Sequence, residues 1–221
     1  MKKADTVIEI RPVNLVKTRI SIVGDSPLIM HAWSEKAKRL MLEAQTKTAK
    51  TKKAREIRKP FEEFVDSMYW LTGMPENKDE EGFVDAIQNG AKFGFPVTAI
   101  KQAAIASAYR SGSVKDMVSL RGAFFLNGLD VPDFVTIKSD VPEMREDMVK
   151  IGMGTADLRY RGEFKNWRAD MVLTFNDNGV FSLDHIVNAI NLGGFMCGIG
   201  EWRPERDGQF GMYHVDINEE E

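Results

Sequence analysis

The chain's candidate chemistry sits in three histidines, one cysteine and one stretch rich in glycine and arginine. His31 falls between the first strand pattern and the first helix pattern. Metal-free cleavage of RNA needs a base for the 2′-hydroxyl, an acid for the leaving 5′-oxygen and a cation on the phosphate. His31, with Lys36 or Lys38, has the side chains for that work. His185, beside Asp184 in the last helix, and His214, in the last strand, read as ordinary surface or satisfied histidines. The sequence has no His-Glu-x-x-His motif, no Gly-x-Ser-x-Gly elbow and no paired metal carboxylates. With Cys197 alone, an internal disulfide and a cysteine zinc cage are both excluded. No metal and no cofactor is expected.

The densest information lies in Gly193–Gly211, GGFMCGIGEWRPERDGQFG. Its glycines are Gly193, Gly194, Gly198, Gly200, Gly208 and Gly211, and they let backbone approach a ligand or a neighbouring chain. Arg203 and Arg206 supply guanidinium forks for phosphate. Trp202 and Phe210 supply flat faces for stacking on bases. The structural alternative is a long bulge or hairpin loop with Trp202 packed beneath it. No Gly-Lys-Ser/Thr follows, so this is not a phosphate-binding P-loop. The glycines follow a helix, so it is not a dinucleotide fingerprint either.

Charge is unevenly spread. Between residues 36 and 59 the basic residues are Lys36, Lys38, Arg39, Lys47, Lys50, Lys52, Lys53, Arg55, Arg58 and Lys59, opposed only by Glu43 and Glu56 in a chain of net charge −3. A local positive field on an acidic body suits a polyanion; a solvated helix face or a mobile basic loop is the plain alternative. Arg161 and Arg168 are expected to project from one sheet face across a Lys165-Asn166 turn. Cross-strand pairing with Asp157, Glu163 and Asp170 is the simpler account there, and a basic track the other.

The elements that must position these residues follow from periodicity. Leu15–Val23 alternates as a strand with Val16, Thr18, Ile20 and Ile22 on one face, and Gly24-Asp25-Ser26-Pro27 ends it. Ser34 caps a helix running through Gln45. Thr46–Lys53 has no apolar face and reads as a mobile arm, after which Pro60 starts a helix. Met74–Gly82 reads as an acidic loop, Pro96–Arg110 as an alanine-rich helix, and Ala123–Leu126 and Phe134–Ile137 as strands. Met148–Met153, Ala156–Phe164 and Trp167–Phe175 read as further strands. Ser182 caps a helix stopped by Gly193-Gly194, and Phe210–Ile217 is the last strand.

The pattern amounts to βαββαβ. The expectation is an α+β chain with a ferredoxin-like (RRM-like) antiparallel sheet: one domain, its core formed by 12–33 plus 146–217, with a mainly helical insertion at 34–145. Helices cover one sheet face and leave the other free. At 43% apolar and 29% charged residues the chain is neither disordered nor a membrane protein. The lone cysteine and the lack of a secretory leader point to the cytoplasm.

A glycine-rich loop between the last helix and last strand of such a unit resembles the RAMP superfamily, which includes CRISPR backbone subunits and CRISPR-RNA processing endoribonucleases. Gly193-Gly194, Gly198-Ile199-Gly200 and Gly208-Gln209-Phe210-Gly211 carry the resemblance; residues 34–145 have no part in it. It implies RNA binding and, for the processing enzymes, a general acid–base histidine near the position of His31. The Gly-Ile-Gly-Glu-Trp-Arg-Pro-Glu-Arg run also resembles proteins of tailed bacteriophages, implying a viral origin and the host cytoplasm. The leading expectation is a non-enzymatic protein that multimerises along single-stranded RNA or DNA through the basic arm and the glycine-rich loop. A phage assembly protein forming a ring or tube, and a metal-free endoribonuclease using His31, are the alternatives.

Overall fold

The structure is a computed structural model that describes residues 12–33, 35–46, 57–151 and 154–216. It is an α+β fold with two antiparallel sheets. β1 (Leu15–Gly24), β3 (Phe93–Pro96), β4 (Phe124–Gly128), β5 (Phe134–Lys138), β8 (Arg168–Asn176) and β9 (Tyr213–Asp216) form the main sheet. Its order is β3-β5-β8-β1-β9, with β4 sharing the β8 edge beside β5. β2 (Leu28–Met30), β7 (Thr155–Phe164) and β6 (Glu143–Ile151) form the smaller sheet, in that order.

Alternation in the sequence sets the main sheet's faces. Opposite Val16, Thr18, Ile20 and Ile22 of β1 stand Phe175, Leu173, Met171 and Ala169 of β8. Phe124 and Leu126 of β4 join the same side, against Phe175 and Leu173. Burying that face is the main hydrophobic driving force of the fold. The cover comes from α4 (Val97–Arg110) and α6 (Leu183–Met196). The other face keeps Lys17, Arg19, Ser21, Arg168, Asp170 and Thr174.

Residues 34–145 are mainly helical among the described residues, as expected, but they also feed the main sheet and so are no separate insertion. They contain α1 (Glu35–Gln45), α2 (Pro60–Asp66), α3 (Glu80–Gln88) and α5 (Met117–Arg121), but also β3, β4, β5 and the start of β6. One half of the helical layer, α4, comes from this stretch too. Met74–Gly82 is not wholly loop: Asp79 accepts a hydrogen bond from the Gly82 amide and caps α3. Ser34 and the arm residues Lys47, Lys50, Lys52, Lys53 and Arg55 lie outside the described residues.

Lys165-Asn166 makes a corner rather than a hairpin. β7 pairs with β2 and β6, while β8 pairs with β1, β4 and β5. β1–β2 and β7–β8 are two long strands that bend together from one sheet into the other. From Val23↔Arg168 to Leu28↔Phe164, five residues advance on one side against four on the other. That mismatch is the signature of a bulge, which bends and re-aims a strand. Trp167 fills the corner: its Nε1 donates to the Ser26 carbonyl at 2.8 Å, and its carbonyl accepts from the Gly24 amide at 2.8 Å. A Cβ at Gly24 would stand inside the indole.

Gly193-Gly194 does not stop α6, which continues to Met196. A Cβ at Gly193 would collide with the α4 backbone at Ala104, and one at Gly194 with the Tyr213 carbonyl of β9. Their role is close packing on both sides of one helix. Gly194→Ala is therefore expected to cost about 2 kcal/mol or more, as overpacking against immovable backbone does. Gly73→Ala, where the added methyl meets nothing, is expected to leave the urea midpoint unchanged; equal midpoints for the two variants would refute this account.

Candidate functional site

The chain between α6 and β9 forms an arch closed on itself. The Ile199 amide donates to Gly211 at 2.9 Å, Phe210 to Trp202 at 3.0 Å and Gly208 to Arg203 at 3.1 Å. It is also sewn to the strand corner: Glu201 donates to the Ile29 carbonyl at 3.0 Å and Gly211 to the Pro27 carbonyl at 2.8 Å. Protein atoms occupy the Cβ space of Gly193, Gly194, Gly198, Gly200, Gly208 and Gly211 alike. The expectation that these glycines open the backbone to a ligand is thus corrected: they let the arch fold tightly. Gly200 shows why glycine is needed, with φ +79° and the Ile29 carbonyl where a Cβ would go.

Side chains on this arch divide into two sets. Trp202 keeps 37% of its surface exposed, and Arg206 is exposed with no ion pair or side-chain hydrogen bond among the described residues. Arg203 turns inward, bonding Glu205 and the Gly200 carbonyl. The ring of Phe210 is covered by the Arg145 guanidinium, 4.5 Å from its centroid, so it is not an open stacking face.

A cleft of about 360 Å³ separates the arch from α4 and α5. At one end His31 meets Glu201, Nδ1 to Oε1 3.5 Å, and Tyr69 lines the wall beside them. Behind Glu201 stands Arg161, buried and shared with Asp147 at 3.1 Å and Glu201 at 3.3 Å. His31 foremost, with Arg161 and Arg203, holds the Glu201 carboxyl below its ordinary value. Burial, aided by Glu201, raises the Tyr69 hydroxyl, which stays a neutral donor. Glu205 is likewise lowered, by the Arg110 hydrogen bond first and then by Arg203.

The other candidate surface is the uncovered face of the main sheet. Asp170, with a side chain only 2% exposed, sits among cations that remain about half exposed: Arg19 at 2.9 Å (54%), Lys138 at 2.8 Å (55%) and Arg168 at 3.9 Å. Ser21 Oγ also donates to it, at 2.6 Å. Burial opposes its ionisation, yet the bonds from Lys138, Ser21 and Arg19 prevail and hold the carboxyl well below the carboxylate range. Arg19 and Lys138 thus share one buried carboxylate while about half of each side chain stays in water.

The expected partnership of Arg161 and Arg168 on one face does not form. The corner at Lys165–Trp167 puts Arg161 inside the small sheet's ion-pair network and Arg168 on the open main sheet. Arg58 is also engaged internally, 2.7 Å from both Glu63 and Asp157. His185 is structural, completing the capping box of α6 with Ser182. His214 pairs with Asp25 at 2.7 Å. The sequence reading missed Arg19, Lys138, Glu201 and Tyr69. Arg19 stood on the polar phase of β1, which was a usable signal; the other three depend on long-range packing. Comparison with protein-family models and with curated proteins finds no match to this chain.

The Asp170 cluster carries a pH signature. Its depressed pKa stabilises the fold above the unfolded carboxyl value of about 3.9, and that stabilisation is lost as pH falls through the lower folded value. Asp170→Asn is expected to cost about 2 kcal/mol at pH 7, with the gap to the parent narrowing below pH ~4. Urea titrations at pH 7 and pH 3 check this, and a gap that widens on acidification refutes it.

Proposed function

We propose that this chain is a non-enzymatic, single-stranded nucleic-acid-binding protein of ferredoxin-like, RAMP-type build that multimerises along its strand. The observation that carries the reading is the pair of half-exposed cations, Arg19 and Lys138, that share the one buried carboxylate Asp170 on the uncovered face of the main sheet. Lys17 lies on the same face. Phosphate backbones bind such clusters by releasing counterions. Trp202 and Arg206 add an exposed indole and a cation on the arch, the pairing that grips a base and its phosphate. In the sequence, the basic run of residues 36–59 supports a polyanionic partner on charge alone.

Chain topology supports the ferredoxin-like part. The order β9-β1-β8-β4 is antiparallel throughout, α4 lies between β1 and β4 in the chain, and α6 lies between β8 and β9. That order is consistent with a split βαββαβ unit, with β4 as its second strand in place of the expected β7. On this reading the arch, which lies between α6 and β9, would be the counterpart of a RAMP-type glycine-rich loop. For multimerisation, Trp33, Leu40, Met41 and Leu42 expose apolar surface on and beside α1. Among the described residues no helix is long and apolar enough to cross a membrane, and no side-chain group could hold a metal ion.

A second reading, metal-free RNA cleavage, has its own support in the pairing of His31 with Glu201 at the cleft mouth beside Tyr69. A carboxylate that orients an imidazole is a recurrent acid–base device. His31→Ala is expected to abolish cleavage of a labelled RNA if the parent cleaves; a parent that leaves RNA intact, or a variant that cuts equally well, removes this reading.

The leading reading is tested by fluorescence anisotropy with labelled oligonucleotides. Binding should weaken steeply with salt, log K falling by about 0.7 per phosphate contact for each unit of log salt. Replacing Arg19 and Lys138 by Gln together should flatten that slope by about 1.4, two contacts' worth. Absence of binding at low salt, or an unchanged slope in the double variant with an intact unfolding transition, overturns it.

A further inference from the structure

We propose that the cleft between α4, α5 and the arch takes one nucleotide, its base against α4 and its phosphate on Arg121. This rests on the nucleic-acid reading only for the nucleotide's source, a bound strand or a free monophosphate.

Shape argues first. Ala99, Ala103 and Ala106 fall at helical spacing along α4 and line one wall, leaving it flat, with Met117 from α5 beside them. Ile199 lines the arch side. A cleft of about 360 Å³, apolar along α4 and polar at His31, Tyr69, Glu201 and Arg203, lies at the small end of the range for ligand cavities, enough for one heterocycle with its sugar. Tight backbone closure of the arch means the slot does not depend on a loop becoming ordered.

Charge argues second. The two carboxylates in the cleft are already satisfied from inside: Glu201 by Arg161 and His31, Glu205 by Arg110 and Arg203. Arg121, at the C-terminal end of α5, lines the cleft with no ion pair among the described residues. An anion entering there meets a cation whose charge is not spent on the protein. Gln102 also lines the cleft, exposed and without a hydrogen-bond partner among the described residues. A carboxamide offers a donor and an acceptor together, which matches the edge of adenine. A flat apolar wall, an edge-reading amide and a separate cation together describe a nucleotide better than a simple anion or a lipid.

Ala106→Leu narrows the slot and Arg121→Ala removes the cation; an unchanged unfolding midpoint shows that each variant folds. The first probe is an oligonucleotide carrying one 8-vinyladenine, which keeps adenine's N6 amino group and N7 and whose emission rises when the base leaves its stacked neighbours. The expected result is a rise on binding to the parent that Ala106→Leu abolishes while anisotropy still reports a bound strand. A bound strand without that rise, or the same rise in the variant, overturns the proposal. If no strand binds, the nucleic-acid reading fails by itself and adenosine monophosphate decides: saturable binding weakened about tenfold by Arg121→Ala supports the cleft, and no binding by the parent overturns it.

Discussion

Backbone contact on two sides of α6 is the constraint on which the architecture turns. Gly193 lets α6 touch α4 at Ala104, and Gly194 lets it touch β9 at Tyr213. Each glycine costs about 1 kcal/mol of helix propensity. The offset is dispersion between closely apposed backbones, gained without freezing a side chain. α4 and α6 thus form one layer over the sheet, and the arch leaves α6 from a fixed point. The cleft exists because α4 faces that arch with alanines in place of larger side chains.

Most arginines around the arch serve the fold. Arg161 is buried between Asp147 and Glu201, and removing both carboxylates would strand its charge at high cost. Arg110 and Arg203 converge on Glu205. Arg145 bonds Asp147 and covers Phe210. These bonds make the arch rigid, so a ligand meets a preformed surface and loses little to ordering it. On the main sheet the balance is opposite. Asp170 is shared by Arg19 and Lys138, one carboxylate for two cations, and about half of each of those side chains stays in water. The same residue types act as mortar at one site and as a field source at the other, according to how many carboxylates stand nearby.

Local patterns in the sequence carried the elements whose information is local. Alternation placed β1 and β8 and their buried faces, and Ser182 with the apolar stripe after it placed α6. The turn at Gly24–Pro27 was also legible. What failed depended on partners far along the chain. Lys165-Asn166 has turn chemistry, but only pairing with β1 and β2 makes it a corner in place of a hairpin. Gly193-Gly194 looks like a helix stop until Ala104 and Tyr213 are seen against it. β4 was visible as a short strand, yet its place beside β8 was not. At the candidate site, Trp202 and Arg206 were readable from residue type. Glu201 was not, because its meaning comes from His31 and Arg161, which approach it from β2 and β7.

The bent ribbon links the two surfaces. Before the corner, β1 and β8 carry Arg19, Ser21 and Asp170 on the open sheet; beyond it, β2 leads to His31 and β7 carries Arg161. Phosphate attraction on a flat cationic face is long-ranged and indifferent to sequence, which suits capture of a flexible polymer. A narrow slot with a free amide is short-ranged and selective, which suits a fixed register along it. Trp167 wedges the corner from inside and bonds the β1–β2 bend at Gly24 and Ser26. The angle between the cationic face and the cleft is therefore set by core packing, the least compliant part of the molecule. A strand lying across both would meet them at a constant spacing on every copy of the chain, the geometric condition for repeating copies along one polymer.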